Sequence, residues 1–296
     1  MDLETFLQLI VNGLVAGSTY ALFALGFTLM FATLRFLPLN CAAAYTGGAY
    51  CTYSVSVSCG APLWLSAVVA VGCCALGGAG CEKLLHQPLR NRRATDTGLL
   101  LAMLGVVIAF QSLVSLVFGD HTVVLRPPAA TRALRCGNVR FTDVQLVSVA
   151  VCAALGLSLW IIQKRTRLGV LQRALAGDVV LARTVGIEPG RVYLFVCALA
   201  FALVGAAGVI AGLDTDLVPT MGFSTLLLAI TASVIGGMGS TGGAAVGGLF
   251  IGVLQQMSAW ALPTEWQDAI VFSVLIGFLI VRPQGLCGAP LRKTTV

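Results

Sequence analysis

The feature that most constrains this chain is a series of long apolar runs that carry no charged residue well inside them. A membrane-crossing helix needs about 20 apolar residues, and it satisfies its own backbone hydrogen bonds in lipid. A transmembrane β-barrel would instead show segments of about 10 residues with alternating polarity. The runs therefore predict an all-α, polytopic transmembrane helical bundle of about eight to nine segments: 6–31, 40–58, 62–82, 97–119, 143–163, 191–212, 222–236, 243–262 and 266–282.

The composition excludes an ordinary soluble fold. Hydrophobic residues make up 58% of the 296 residues, and charged residues make up only 10%. Soluble domains carry about 25% charged residues, and no soluble fold of this size could keep so much apolar surface away from water. The whole chain, residues 1–296, is therefore predicted to form a single transmembrane domain.

Glycine spacing predicts where helices approach one another closely. Pairs of glycines four residues apart let helix backbones touch in membranes, and they recur at Gly13 and Gly17, Gly208 and Gly212, Gly243 and Gly247, and Gly248 and Gly252. The segment 222–236 is short for a crossing and runs into a glycine-rich turn. Together with 243–262 it either crosses twice or dips in and returns, and both alternatives leave the downstream topology unchanged.

The charged loops predict the orientation, because Lys and Arg accumulate in short cytoplasmic loops. With the N-terminus outside and the C-terminus in the cytoplasm, all but four of the 18 Lys and Arg residues lie on the cytoplasmic side. A basic cytoplasmic loop then spans 164–190, and the net charge of +6 requires no nucleic acid. The exceptions lie in a periplasmic loop at 120–142, and they are Arg126, Arg132, Arg135 and Arg140.

The predicted segments lack residue types that several classes of membrane protein need. Ion-driven transporters usually keep an ionisable residue at membrane depth, and the predicted segments hold none well inside. The histidines, His86 and His121, are predicted to lie in loops, and no metal or other cofactor is expected. No Walker A motif occurs, so any ATP hydrolysis belongs to another chain. Uncharged polar residues in the segments either bond between helices or form a weakly polar solute path.

The cytoplasmic loop contains a predicted helix from Leu171 to Val185. Its apolar face is formed by Leu171, Leu175, Val179 and Ala182. Gly186 is positioned as a C-cap, and Pro189 ends any continuation of the helix. Such an amphipathic helix either seats in a groove on a cytosolic motor or lies on the membrane surface.

Four stretches resemble the permeases of the branched-chain amino-acid ABC transporter family. In the family's order, the first stretch runs from Asn12-Gly13 through Tyr20 to Gly26, and the second runs from Arg173-Ala174 through Gly186-Ile187 to Arg191-Val192. The third runs from Ala229 through Gly236-Gly237 and Ser240 to Gly248, and the fourth runs from Arg282 to Leu286. Two positions depart from the family. Asn40 is kept without the His and Gly that usually follow it, and Gly177 stands where the family often has Glu.

The resemblance implies a permease subunit, and not an enzyme, of an ATP-driven importer for branched-chain or other neutral amino acids in a bacterial inner membrane. It implies two cytosolic ATPase subunits, a second permease that is identical or homologous, and a periplasmic solute-binding protein. Alternatives are an ABC permease for urea or short-chain amides and an ion-coupled secondary transporter.

Expected roles follow for three groups of residues, the first from the resemblance and the other two from polarity and position. The positions expected to couple to the ATPase are Arg173, Ala174, Asp178, Leu181, Gly186 and Ile187. The candidate translocation path consists of Asn12, Ser18, Thr19, Tyr20, Asn40 and Ser240. The four arginines of loop 120–142 are candidates for docking the binding protein.

Overall fold

The computed structural model describes residues 3–58, 60–92, 94–125, 133–136, 139–261, 263, 266–282 and 284–287. Its helices are α1 (Leu3–Leu34), α2 (Cys41–Ser58), α3 (Leu63–Cys81), α4 (Gln87–Asn91), α5 (Asp96–Phe118), α6 (Asp143–Arg165), α7 (Arg167–Gly177), α8 (Val179–Thr184), α9 (Pro189–Asp214), α10 (Met221–Gly236), α11 (Thr241–Ala261) and α12 (Gln267–Val281). A π-helical turn, Glu82–His86, joins α3 to α4 without a break. Each apolar segment predicted from the sequence coincides with one of these helices.

The described helices differ in their capacity to cross a membrane. Five helical stretches are long and apolar enough by length and composition, namely Thr5–Leu34, Leu63–Asn91, Asp96–Phe118, Asp143–Arg165 and Pro189–Asp214. Two further apolar helices, α10 and α12, have only 16 and 15 residues. The helical membrane architecture is therefore confirmed, whereas eight to nine crossings and the sidedness of the termini stay predictions.

Helices α1 and α9 form the centre of the bundle. In the most apolar 18-residue stretch of each helix, 78% of the residues of α1 and 72% of those of α9 are buried, compared with 17% for both α5 and α6. Helix α1 packs against α11, α9, α10 and α6, and α9 packs against α2 and α3. Phe23, Phe27 and Met30 of α1 have no exposed surface at all. The outer helices α5 and α6 therefore present apolar faces that suit lipid or another subunit.

Glycines allow α1 and α11 to cross in direct backbone contact. A Cβ atom added at Gly13 would lie 2.7 Å from Cα of Val253, and one added at Gly17 would lie 2.9 Å from Cα of Leu249. Added Cβ atoms at Gly248 and Gly252 would overlap α1 at Ala21 and Gly17. The contacts run in opposite chain directions, so the two helices are antiparallel. The close approach predicted from the glycine spacing is confirmed here.

The other predicted glycine pairs also lie at helix contacts. An added Cβ atom at Gly208 would overlap the carbonyl of Tyr45 on α2, and one at Gly212 would lie 2.8 Å from Leu217. Gly243 and Gly247 of α11 meet the backbone of α10 at Gly236 and Ala232. Small residues thus let three pairs of elements approach more closely than larger side chains would allow.

One short element departs from the all-α prediction. Strands β1 (Ala133–Cys136) and β2 (Val139–Thr142) pair antiparallel within the loop 120–142, with Ala133 opposite Thr142 and Cys136 opposite Val139. Prediction from long apolar runs detects only membrane-length helices, so a hairpin with strands of four residues escapes it. Helix α6 begins directly after β2, where Thr142 and Gln145 form a capping box.

Candidate functional site

The segment between α6 and α9 folds as two short helices instead of the single helix predicted for Leu171 to Val185. Helix α7 ends at Gly177, and Asp178 adopts an extended conformation with φ −150° and ψ 116°. Its Oδ1 atom accepts hydrogen bonds from the amides of Val180 at 2.7 Å and Leu181 at 3.1 Å, which caps α8. The prediction was wrong because an aspartate after a glycine starts a new helix more readily than it continues an old one.

The end of α8 follows the predicted capping. Gly186 has φ +86°, a conformation that glycine adopts without strain. The amide of Ile187 donates to the carbonyl of Ala182 at 3.1 Å, and Pro189 begins α9 two residues later. Val185 is the C-cap itself and Gly186, directly after it, makes the left-handed turn, so the predicted end of the helix before Pro189 is confirmed one residue earlier than expected.

Hydrogen bonds to the bundle hold α7 in place. Arg173 Nη1 donates to the carbonyl of Gln163 at 2.6 Å, and Gln172 Nε2 donates to the carbonyl of Leu29 at 3.5 Å. The guanidinium of Arg35, at the end of α1, donates to the carbonyl of Ala176. Arg35 has φ 61°, an uncommon conformation for a residue with a Cβ atom. The turn after α1 is thus shaped around its contact with α7.

The α7–α8 segment, residues 167–184, has one buried face and one open face. Its predicted apolar stripe does face inward: Leu175 and Ala182 are buried, and Leu171 and Val179 pack against the core. The open face carries Arg173, Asp178 and Leu181, and Ala174 is half-buried. Just after the segment, Gly186 is exposed and Ile187 is half-buried. Five large apolar side chains on this segment and just after it are also exposed, namely Leu168, Val170, Val180, Leu181 and Val185. A scaffold anchored in the bundle thus presents a mixed basic and apolar surface.

The candidate path residues of α1 already have hydrogen-bond partners. Ser18 and Thr19 each donate to a backbone carbonyl of their own helix at 2.7 Å. Tyr20 donates from its hydroxyl to Oε1 of Gln255 on α11, also at 2.7 Å. Asn12 accepts from the side chain of Gln8 at 3.2 Å. Only the bond of Tyr20 joins two helices, as the interhelical alternative predicts, whereas those of Asn12, Ser18 and Thr19 lie within α1.

An apolar cleft lies between α1, α6 and α11, with a volume of about 390 Å³. Ser18 and Thr241 supply hydroxyl groups to its wall, and Cys152, Leu159 and Trp160 supply much of the rest. Ser240 lies beside Thr241 at the start of α11, where its hydroxyl accepts from the amide of Gly243 at 3.2 Å. Of the candidate path residues, only Ser18 lines the cleft, whereas Asn12, Thr19, Tyr20, Asn40 and Ser240 lie outside its wall.

Asn40 lies in a buried polar cluster that the sequence did not predict. Its Nδ2 atom is 3.2 Å from Nε2 of His86, whose Nδ1 is 3.0 Å from a carboxylate oxygen of Glu82. Asn40, Glu82 and His86 are exposed by only 0%, 2% and 1%. His86 therefore lies in a helical turn and not in a loop, and a carboxylate is buried at the end of an apolar segment.

Two further helices complete this cluster. Arg90 of α4 forms an ion pair with Glu82 at 2.5 Å, and its guanidinium lies 4.3 Å from the ring centroid of Tyr193 on α9. Cys197 of α9 lies with its Sγ 3.6 Å from the Glu82 carboxylate. The spacing of Glu82, His86 and Arg90, each four residues after the last, is the signal that could have revealed a polar helical face.

The same cluster has the composition of a metal site. Glu82, His86 and Cys197 place possible ligand atoms within 4.8 Å of one another. The carboxylate is, however, already paired with Arg90 and hydrogen-bonded to His86. A cation would have to compete with the guanidinium, so the arrangement fits a self-neutralised hydrogen-bond network better than a metal centre.

The proposed docking arginines are only partly described. Arg126 and Arg132 lie outside the described residues. Arg135 of β1 and Arg140 of β2 are opposite one another in the hairpin register. The hairpin thus places two of the predicted cations at neighbouring backbone positions.

Comparison with known proteins agrees with this architecture. The family model described as "Branched-chain amino acid transport system / permease component" matches residues 9–279. The high-affinity branched-chain amino acid permease LivH of Escherichia coli K12 is 31% identical over 96% of both chains. LivH of Salmonella typhimurium is 30% identical over the same shares, and BraD of Pseudomonas aeruginosa is 28% identical over 98% of both chains.

One solved structure also aligns along most of the chain. PsaBC from Streptococcus pneumoniae in complex with Fab gives a TM-score of 0.49 at 16% identity, over 95% of this chain and 91% of that one. This likeness is too low to carry a conclusion. The family match covers far more than half of the sequence, and members of the family are transport subunits, not enzymes. The chain belongs to the family of permease components of branched-chain amino acid transport systems.

Proposed function

We propose that this chain is the membrane-spanning subunit of an ATP-driven importer for branched-chain or other neutral amino acids in a bacterial inner membrane. The observation that carries the proposal is the family match over residues 9–279 together with relatives named as branched-chain amino acid permeases. The N-terminus is outside, the C-terminus is cytoplasmic, and the bundle crosses eight or nine times. Residues 1–296 act as one permease domain.

The α7–α8 segment is the contact with the ATPase. Arg173, Asp178 and Leu181 lie on its open face and Gly186 follows it, beside apolar side chains that the described residues leave exposed. Ala174 and Ile187 flank that face. An anchored helix pair with exposed cations and aliphatic groups suits a groove on a partner protein, since it combines apolar contact with charge recognition. Movement of that partner would reach α1 through Arg35 and α9 through Pro189.

Three kinds of protein partner complete the proposed importer. Two cytosolic ATPases bind the α7–α8 segments of this chain and of a second permease, which is identical or homologous. A periplasmic binding protein delivers the solute to the outer side.

The arginines at positions 126, 132, 135 and 140 would pair with carboxylates of the periplasmic binding protein. Replacing all four with Ser should weaken docking, and more so at low salt. Unchanged affinity of the binding protein would contradict that pairing.

The solute path runs along the side of α1 that contains Ser18. The cleft there has a mostly apolar wall with two hydroxyl groups, which would let a neutral amino acid pass without tight binding. Asn12, Thr19, Tyr20, Asn40 and Ser240 are the other proposed path residues, and their present hydrogen bonds would have to rearrange during transport. The second permease would close the open side of the cleft.

Ion-coupled secondary transport is the second candidate, and one observation favours it. Glu82 and His86 are ionisable and almost completely buried, and such groups mark proton or ion sites in many transporters. Their pairing with Arg90 weighs against this function, because the charge is already balanced within the chain. Permeases for urea or short-chain amides belong to the same mechanistic class and differ only in solute.

Reconstitution distinguishes these functions. The permease pair, its ATPases and its binding protein are placed in proteoliposomes, and uptake of labelled leucine, valine and urea is followed with and without ATP. We expect leucine or valine uptake that requires ATP and persists when an ionophore removes ion gradients. Uptake by the permease alone, driven by an imposed proton gradient, would overturn the proposal.

A further inference from the structure

We infer that the cluster of Asn40, Glu82, His86, Arg90 and Tyr193 is the joint through which movement of the ATPase contact is transmitted to the helix bundle. This inference rests on the proposed function. Glu82 and Arg90 are therefore positioning residues for transport, acting away from the solute. Hereafter these five residues are called the polar joint.

The polar joint connects three separate parts of the fold. Asn40 stands immediately before α2, Glu82 and His86 form the π-helical turn, and Tyr193 belongs to the second turn of α9. Polar contacts link these parts in one chain, from Asn40 to His86, to Glu82, to Arg90 and to the ring of Tyr193. A displacement of α9 relative to α3 must therefore stretch or break a charge-assisted contact.

The polar joint also lies next to the proposed ATPase contact. Helix α9 begins at Pro189, a few residues after the α7–α8 segment, and Tyr193 lies in its second turn. A movement of the α7–α8 segment would therefore reach Tyr193 over a short stretch of chain. On the other side of the joint, Phe36 places its ring edge-on to His86 with centroids 5.3 Å apart. Phe36 follows Arg35, which holds the end of α7. Two of the connections of the α7–α8 segment to the bundle, one through Arg35 and one through the start of α9, thus lead to the polar joint.

The stability of the fold does not explain why the charge of Glu82 is buried. Buried ion pairs seldom stabilise a protein more than well-packed apolar residues do, whereas removal of one partner is costly. The turn that carries Glu82 and His86 is π-helical, a local irregularity that frequently occurs at functional sites. The buried ion pair and the π-helical turn are better explained if the contacts of Glu82 change during transport than if they only stabilise the fold.

Spare bonding capacity would allow such a change. Among the described residues, the buried Oδ1 of Asn40 and the buried Nη1 of Arg90 have no hydrogen-bond partner. Each atom can therefore accept or donate a new bond when α9 shifts, while Glu82 and His86 keep their own contact. Two alternative sets of hydrogen bonds among these residues would give the polar joint two discrete arrangements. Coupling between distant sites requires an element with two such arrangements.

The test measures how many ATP molecules the complete importer hydrolyses for each solute molecule that it moves in proteoliposomes. Glu82→Gln removes the charge and keeps the shape. We expect it to raise the ratio of ATP hydrolysed to solute transported at least about fivefold, the lower end of common coupling effects. Asp96→Asn makes the same chemical change at an exposed position on α5 and should keep the wild-type ratio.

A second pair of variants covers the case in which Glu82→Gln does not fold. Tyr193→Leu removes the ring from Arg90 while both charges stay, and it should also raise the ratio. Tyr193→Phe keeps the ring and should match the wild type. Folded Glu82→Gln or Tyr193→Leu complexes with the wild-type ratio would overturn the inference. A wild-type complex without ATP-dependent uptake would instead refute the proposed function.

Discussion

At the scale of single residues, backbone contact between helices depends on the absence of side chains. Gly17 and Gly252 occupy the crossing of α1 and α11, and neither has room for a Cβ atom. Helices in lipid gain little from the hydrophobic effect when they associate, so close packing supplies much of the attraction. A methyl group at this crossing would therefore separate the two helices that share the bundle's largest contact.

Gly252→Ala should destabilise the purified protein, because the added methyl group meets the backbone of α1. The expected cost is about 1–3 kcal/mol, as for other overpacked sites, seen as a lower midpoint in thermal unfolding in detergent. Gly72→Ala on α3 is the matched control, since a Cβ atom there meets nothing within 4 Å. Equal midpoints for the two variants would show that the α1–α11 crossing is looser than described.

At the scale of elements, the break between α7 and α8 depends on one capping side chain. The amphipathic pattern gave the buried face correctly, because that face depends only on residue spacing. It did not give the break, because Asp178 can either sit on the polar side of a continuous helix or cap a new one. Contacts of Arg35 with Ala176 and of Gln172 with Leu29 settle the path of the chain.

Asp178→Ala should loosen α8, since the amides of Val180 and Leu181 lose their acceptor. Loss of such a cap costs about 0.5–2 kcal/mol. Amides of Val179–Thr184 should then exchange hydrogen severalfold faster than in the wild-type protein, and ATP-driven uptake should fall. Asp178→Asn keeps a capping oxygen and should retain slow exchange. Identical exchange in Asp178→Ala would mean that packing, and not the cap, holds α8.

At the scale of the whole molecule, orientation is a property of charge distribution and not of the fold. Every contact within the bundle would be the same if the protein were inverted in the membrane. The basic residues around Arg173, and their rarity at the opposite end, are therefore the basis for placing the α7–α8 segment in the cytoplasm.

A protease site inserted after Gly186 should be cut in inside-out vesicles and protected in right-side-out vesicles. The same site inserted after Gly60, in the turn between α2 and α3, should give the opposite pattern. Both glycines are exposed, so access to the protease depends on sidedness. Cleavage after Gly186 in right-side-out vesicles would invert the topology and remove the ATPase contact from this segment.

The sequence by itself determined the helical membrane architecture, the positions of the apolar helices and the close glycine contacts. Each of these follows from local composition or from spacing along one helix. Only the tertiary structure decided that Asn40, Glu82, His86, Arg90 and Tyr193 meet. Asn40 and Tyr193 come from parts of the chain far from Glu82, His86 and Arg90, so their contacts cannot be inferred from spacing along one helix. A charge at the end of an apolar segment also looks the same in sequence whether lipid headgroups or a buried guanidinium neutralise it.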